Sequence, residues 1–530
     1  MIRLGVVGTV AGVNPLTAST RAERDLAALV FSGLVRLGPD QTIVPDLAER
    51  WETSPDGRTW TFDLREDARW HDGAPVTGAD VVFTVGRLSE PGYAGPASAS
   101  WRDVTVTALG DRSVRFELAT PIAGFLEAAR QPLLPNHLLA GVPASELGSQ
   151  PFNARPVGAG PYRLLSLDAE RAVLEPADAS ERRTPSPRPT VAADDPLATP
   201  PVDAPGSPDR AANIELHFHA DEAALTTAWL QAGIDVASGL SPDAAIRLAG
   251  PPDSRLVRYP TTALTAVIFN LRPSHPELRD PAVRRALLRA IDRVALLEEV
   301  WDGQAQLTDA PIPPSSWAFR AAASPSVAHD RRGAAQALDA AGWTPAGGRW
   351  TAPGDNRPYA LELLSADAAT NPAAFTAAAS VAESWRRIGL NVTHVPLATG
   401  ELIGQRLRTG TFTAAVVDIN VGLDPDLYPL LASSQTTSRG LNLGGVVDPD
   451  LDRLLEAARA PGSDQARQAA YRALQERLAA HQYLIPLAFR DEVAVVRNTV
   501  SGVAPRLISD AGDRFWDVLA WRLADGRGAG

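Results

Sequence analysis

His217 and His219 stand two residues apart in an alternating stretch that reads as a strand. Both rings then project from one face, where they could clamp a metal ion. No third ligand lies nearby in sequence, so ordinary strand placement is the better reading of the pair. His71 precedes the Asp72-Gly73 turn and reads as a structural residue beside it. Asp448, Asp450 and Asp452 have the alternation of a calcium loop, yet the Gly and terminal Glu of that loop are missing. Asp448 ahead of Pro449 reads better as a helix cap. Covalent chemistry has less support still. The chain has no Cys, which removes thiolate nucleophiles, disulfides, iron–sulfur clusters and Cys-ligated zinc. All 50 basic residues are Arg, so a Walker-type phosphate loop, a Schiff-base Lys and a Lys general base are excluded as well. Neither a Gly-x-Ser-x-Gly elbow nor a zinc-binding His pair at helical spacing occurs. Paired carboxylates in a cleft stay open as a hydrolase alternative, because such pairs assemble only in the fold. No cofactor is expected.

The elements that must position any such residues are many. With 530 residues and 45% hydrophobic content, the chain can form two to four units, each burying its own core. A net charge of −12 argues against non-specific binding to nucleic acid or to an anionic membrane. The opening Met1 to Gly8 is too short and too quickly interrupted for a signal peptide, and no stretch has the length of a membrane span. Residues 3–10 read as a buried strand that ends in a loop at Asn14-Pro15, with helix following over 22–35. Trp60, Phe62 and Leu64 alternate with polar neighbours, as do Val114, Phe116 and Leu118, which predicts a mostly β region over 46–156. Residues 176–212 are rich in Pro, Ala, Asp and Arg and lack aromatics, so a disordered insertion is expected there. The strands flanking it, ending near Leu174 and restarting at Ile214, should still pair.

Helix signals recur in the second half. Asp280-Pro281, Asn371-Pro372 and Asp448-Pro449 each offer a capping side chain followed by Pro at the first helical position. Val283, Leu287, Ile291 and Val294 predict one helix running to about Val300. Strand candidates at 265–270, 360–364, 392–395 and 413–418 alternate with these helices and imply an α/β domain.

The landmarks, taken together, resemble the family 5 extracytoplasmic solute-binding proteins of ABC importers, the group of oligopeptide, dipeptide and nickel receptors. The resemblance is carried by NPLTAST (14–20), IVPDLAERWETSPDGRTWTFDLREDARWHDGAPVTGADVVFT (43–84), RPVGAGPYRLL (155–165) and AGID (232–235). It continues in FNLRPSHPELRDPAVRRALLRAIDR (269–293), LDAAGW (338–343), DPDLYPLLASS (424–434) and LNLGGVVDPDLDRLLEAAR (441–459). Two departures stand out: Ala159 replaces the usual Thr, and the Pro-rich insertion replaces an Asn-Pro-x-Tyr-Trp segment.

The resemblance implies an α/β, two-lobed periplasmic-binding-protein-like fold (class II, large type) with an additional mostly β subdomain. Lobe I would comprise 1–45, 157–262 and 488–530, the β-rich subdomain 46–156, and lobe II 263–487. Ligand would be enclosed between the lobes by hinge closure and delivered, chemically unchanged, to a membrane permease with its ATPase. Candidate ligand contacts are Asn14, Asn270, Trp317, Asp418, Arg439 and Asn442, with Asp418 as the acidic partner of a ligand amine. The expected ligand is a peptide or similar small polar solute. A nickel-chelate or oligosaccharide receptor of the same fold, or a ligand sensor, are the alternatives. A monomer is implied, located outside the cytoplasm, with an anchoring leader outside the sequence.

Overall fold

A computed structural model describes residues 1–39, 41–90, 93, 95, 101, 104–177, 211–437 and 440–524. Most of the expected disordered insertion, and Arg439, lie outside the described residues. The chain divides into two compact units, one formed by Met1–Tyr259 with Glu492–Gly530 and the other by Pro260–Asp491. It passes between them twice, along two long strands, Ser254–Phe269 and Leu484–Arg497.

In the first unit, the strand Ile2–Val7 lies parallel to both Ile214–His219 and Val236–Ser238. Arg171–Pro176 and Tyr162–Leu167 extend the sheet in antiparallel fashion. Leu174 pairs with Ile214, so the strands on either side of the Pro-rich stretch are partners as expected. A separate antiparallel sheet runs Ala48–Thr53, Thr59–Leu64, Ser113–Leu118, Val104–Ala108. Its inner face buries Trp60, Phe62, Leu64, Val114 and Phe116, with Phe62 and Phe116 in an edge-to-face pair at 5.5 Å. Beyond Leu118 the strands stop. Residues 119–156 form short helical turns and loops, so that part of the predicted mostly β region is helical instead. The closing helical turn Ala511–Ala520 and Trp521 return to the first unit, where Phe515 and Trp521 join its core. A fully buried ion pair, Arg514 with Asp25, fixes them there.

Gly158 and Gly160 have no positive φ; what requires them is close approach, since a Cβ on either would collide with the backbone at Val30. His71 closes the same corner, its amide donating to Gly158 O at 2.7 Å and its Nε2 lying 3.1 Å from Gly160 O.

The second unit holds a strand–helix–strand module, Ala360–Ala366, Pro372–Arg387 and Asn391–Leu397, whose two strands are parallel. Ala414–Asn420 pairs parallel with the first of these and antiparallel with the end of the first crossing strand. All three capping signals hold: Asp280, Asn371 and Asp448 each accept a hydrogen bond from the first turn of a helix. The single helix expected over 281–300 is two, Pro281–Ala290 and Arg293–Trp301. Ile291 is extended and Asp292 caps the second helix through Ala295 N, which turns Val294 out to 65% exposure.

Candidate functional site

Asp418 lies near the carboxyl end of the strand Ala414–Asn420, where open α/β sheets place their ligands. In the ladder it stands directly opposite Thr265, and the Thr265 hydroxyl donates to its Oδ1 at 2.7 Å. The Asn371 amide donates to its Oδ2 at 2.8 Å. Asn371 is also the N-cap of the 16-residue helix Pro372–Arg387, its own Oδ1 accepting from Ala374 N at 3.0 Å. One side chain thus ties the carboxylate to the positive end of a helix. The third neighbour is Arg490 on the second crossing strand, with Nη2 3.5 Å from Oδ2. That separation is longer than a charge-assisted hydrogen bond. The Asp418 side chain keeps 21% of its surface exposed, so one edge of the carboxylate is open to an incoming group.

The strand continues through Asn420, whose Oδ1 accepts from the Thr262 hydroxyl at 2.7 Å and from Gly422 N at 3.0 Å. Beside it, the Thr261 hydroxyl donates to the carbonyl of Arg490 at 2.6 Å and pins the two crossing strands together within this unit. Thr262, Thr265, Asp418 and Asn420 therefore form a polar edge at this end of the two paired strands.

The other expected contacts among the described residues are engaged within their own units. Asn14 is buried; its amide donates to Asn153 Oδ1 at 3.1 Å and its Oδ1 accepts from Leu16 N. Asn270, fully buried, donates to the carbonyls of Gly410 and Phe412 and accepts from Arg272. Asn442 donates to three carbonyls, those of Leu431, Ala432 and Val446, and accepts from Val446 N. These three side chains pair with buried backbone groups of the chain around them. Trp317 packs edge-on to Tyr471 at 5.2 Å, with the Arg467 guanidinium over its ring at 4.7 Å. Arg467 is in turn paired with Asp424 at 2.7 Å.

Asp448 caps its helix through Asp450 N and Leu451 N and receives both the Arg477 guanidinium and the Tyr483 hydroxyl. Burial pulls its pKa upward, but these hydrogen bonds outweigh that pull and bring it down to about 2. His217 lies 3.4 Å from Glu215, while burial lowers the pKa of His219. Among the described residues, no group of three His, Cys, Asp or Glu is placed to hold a metal ion.

Sequence reasoning did not single out Arg490, and it assigned Asn371 only a capping role. The Asn-Pro signal could have marked Asn371 as a residue at a helix N-terminus beside the sheet; no local signal marks Arg490.

The middle-region model of the family described as bacterial extracellular solute-binding proteins, family 5, matches residues 42–440. A probable di/tripeptide-binding protein of Pseudomonas aeruginosa is 28% identical over 495 residues, covering 87% of this chain and 84% of that protein. The oligopeptide-binding protein AppA of Bacillus subtilis is 23% identical over 485 residues, covering 90% and 84%. Its structure with a nonapeptide matches with a TM-score of 0.70 at 20% identity, over 99% of both chains. NikZ of Campylobacter jejuni, solved with Ni(L-His), matches with a TM-score of 0.71 at 23% identity, over 98% of this chain and 99% of that one. Among the described residues, no helix is long and apolar enough to cross a membrane. The matched span covers most of the sequence, and the chain belongs to the family 5 bacterial extracellular solute-binding proteins, α/β receptors that act outside the cytoplasm.

Proposed function

We propose that the solute is a short peptide, whose terminal ammonium is received by Asp418 and which is handed, chemically unchanged, to the permease of an ABC importer. The observation that carries this reading is the state of the Asp418 carboxylate. Its two hydrogen bonds come from neutral donors, Thr265 and Asn371, and its cationic neighbour Arg490 stands at 3.5 Å, beyond a charge-assisted hydrogen bond, so a ligand cation can make the closer contact. An ammonium has three donors and no acceptor, and matches the remaining lone pairs of such a group. The names of the Pseudomonas and Bacillus relatives, a di/tripeptide and an oligopeptide receptor, support the same class of ligand.

Capture and release follow from linkage. A ligand that binds one arrangement of the chain more tightly than another shifts the population toward it. A micromolar ligand provides about 8 kcal/mol, enough to drive a rearrangement costing a few kcal/mol. The two crossing strands are the segments about which we expect such motion. Titration calorimetry of the purified chain with tri-alanine and with N-acetyl-tri-alanine tests the reading. Binding of the first, and at least tenfold weaker binding of the second, is expected; equal affinity for both, or none for either, would overturn it.

A further inference from the structure

Arg490 is oddly placed for a structural residue. Its Nη2 reaches to 3.5 Å from Asp418 Oδ2 without forming a short ion pair, and its Nε is buried with no hydrogen-bond partner. The guanidinium end keeps access to solvent, the side chain being 37% exposed. The backbone of Arg490 is by contrast firmly held: its carbonyl accepts from Thr261, and its place in the ladder is opposite Ala305. A well-anchored backbone thus carries a poorly satisfied cation up to the one carboxylate of this polar edge.

We infer that Arg490 is a specificity-determining residue: a resident counter-ion to Asp418 that an incoming ligand cation must displace. In the empty site the guanidinium balances the carboxylate. When an ammonium takes the open edge of Asp418, two cations stand within a few ångströms of one another, and Arg490 swings into solvent. Like charges at that separation repel even in a partly solvated setting. The site then admits only cations that form better hydrogen bonds to Asp418 than the guanidinium does. An ammonium aimed along a free lone pair meets that condition, whereas a diffuse or poorly directed cation does not. Thr265 and Asn371, being neutral, keep the carboxylate oriented throughout the exchange.

This inference rests on the peptide reading above, and one set of titrations separates the two. Wild type, Arg490→Gln, Arg490→Met and Arg490→Lys are titrated with tri-alanine and N-acetyl-tri-alanine, and each variant's thermal unfolding is recorded. Arg490→Gln is expected to tighten tri-alanine by about 3- to 5-fold, the scale of a partly exposed charge interaction, and to leave the acetylated peptide within 2-fold. Arg490→Met, which also removes the unpartnered Nε, should do the same, and it serves if the Gln variant fails to fold. Arg490→Lys keeps the charge and should retain the wild-type ratio between the two peptides. Weaker binding of tri-alanine by the neutral variants, or equal change for both peptides, overturns the counter-ion role while the peptide reading stands. Failure of the wild type to distinguish the two peptides overturns both.

Discussion

Replacing Asp418 by Asn isolates its charge from its shape. The side chain keeps its volume, and its remaining carbonyl oxygen can still accept from Asn371, now donating at 2.8 Å. The Thr265 hydroxyl, at 2.7 Å, can turn and accept from the new amide. Exchange of neutral partners of this kind costs about 1 kcal/mol of stability or less. Ligand binding loses more. A hydrogen bond between two ions contributes about 1.5–3 kcal/mol against a neutral pair, so the affinity of tri-alanine should fall by about 10- to 150-fold. N-acetyl-tri-alanine, which brings no ammonium, should bind Asp418→Asn as it binds the wild type. Calorimetric titration gives both numbers, and a thermal melt checks that the fold is kept. A fall of less than 3-fold for tri-alanine, or an equal fall for the acetylated peptide, would refute the assignment of Asp418 to a ligand cation.

Two further outcomes are expected. Asn442→Ala removes an amide that serves three carbonyls and one backbone N–H; it should cost about 2–4 kcal/mol in a urea melt yet leave the peptide titration of the surviving fold unchanged. Asp448, held by Arg477 and Tyr483, has a pKa of about 2 in the fold, below its unfolded value. The stability it contributes is therefore complete above about pH 4 and is lost as pH falls toward 2. Asp448→Asn should be less stable at neutral pH by about 1–2 kcal/mol, allowing for solvent screening, and urea midpoints of the two proteins should converge near pH 2.

Local signals in the sequence were read well where a single side chain decides the outcome. Asn371 followed by Pro372 opens a helix because the amide satisfies an orphan N–H and the Pro ring already has helical φ. The same logic hid the break at Ile291. The apolar spacing runs on through Val294, but Asp292 can cap a new helix as readily as sit within an old one, and packing chose the cap. Asn14, Asn270 and Asn442 read as candidate contacts because they are polar and stand near loops. Their burial depends on which carbonyls the fold leaves without partners, such as those of Gly410 and Phe412 beside Asn270. Asp418 and Arg490 come together only because two strands remote in sequence both pass the end of one sheet. No periodicity or spacing encodes that meeting.

Residues Pro260–Asp491 form one unbroken stretch, while the other unit holds the first and last described residues. The two ends of that stretch are already neighbours, with the Thr261 hydroxyl on the Arg490 carbonyl. A single gene cassette thus encodes the whole half that carries Asp418, Asn371, Thr265 and Arg490. Its junctions fall side by side, so the cassette can be exchanged between related receptors as one block, and the recipient scaffold needs only two splice points.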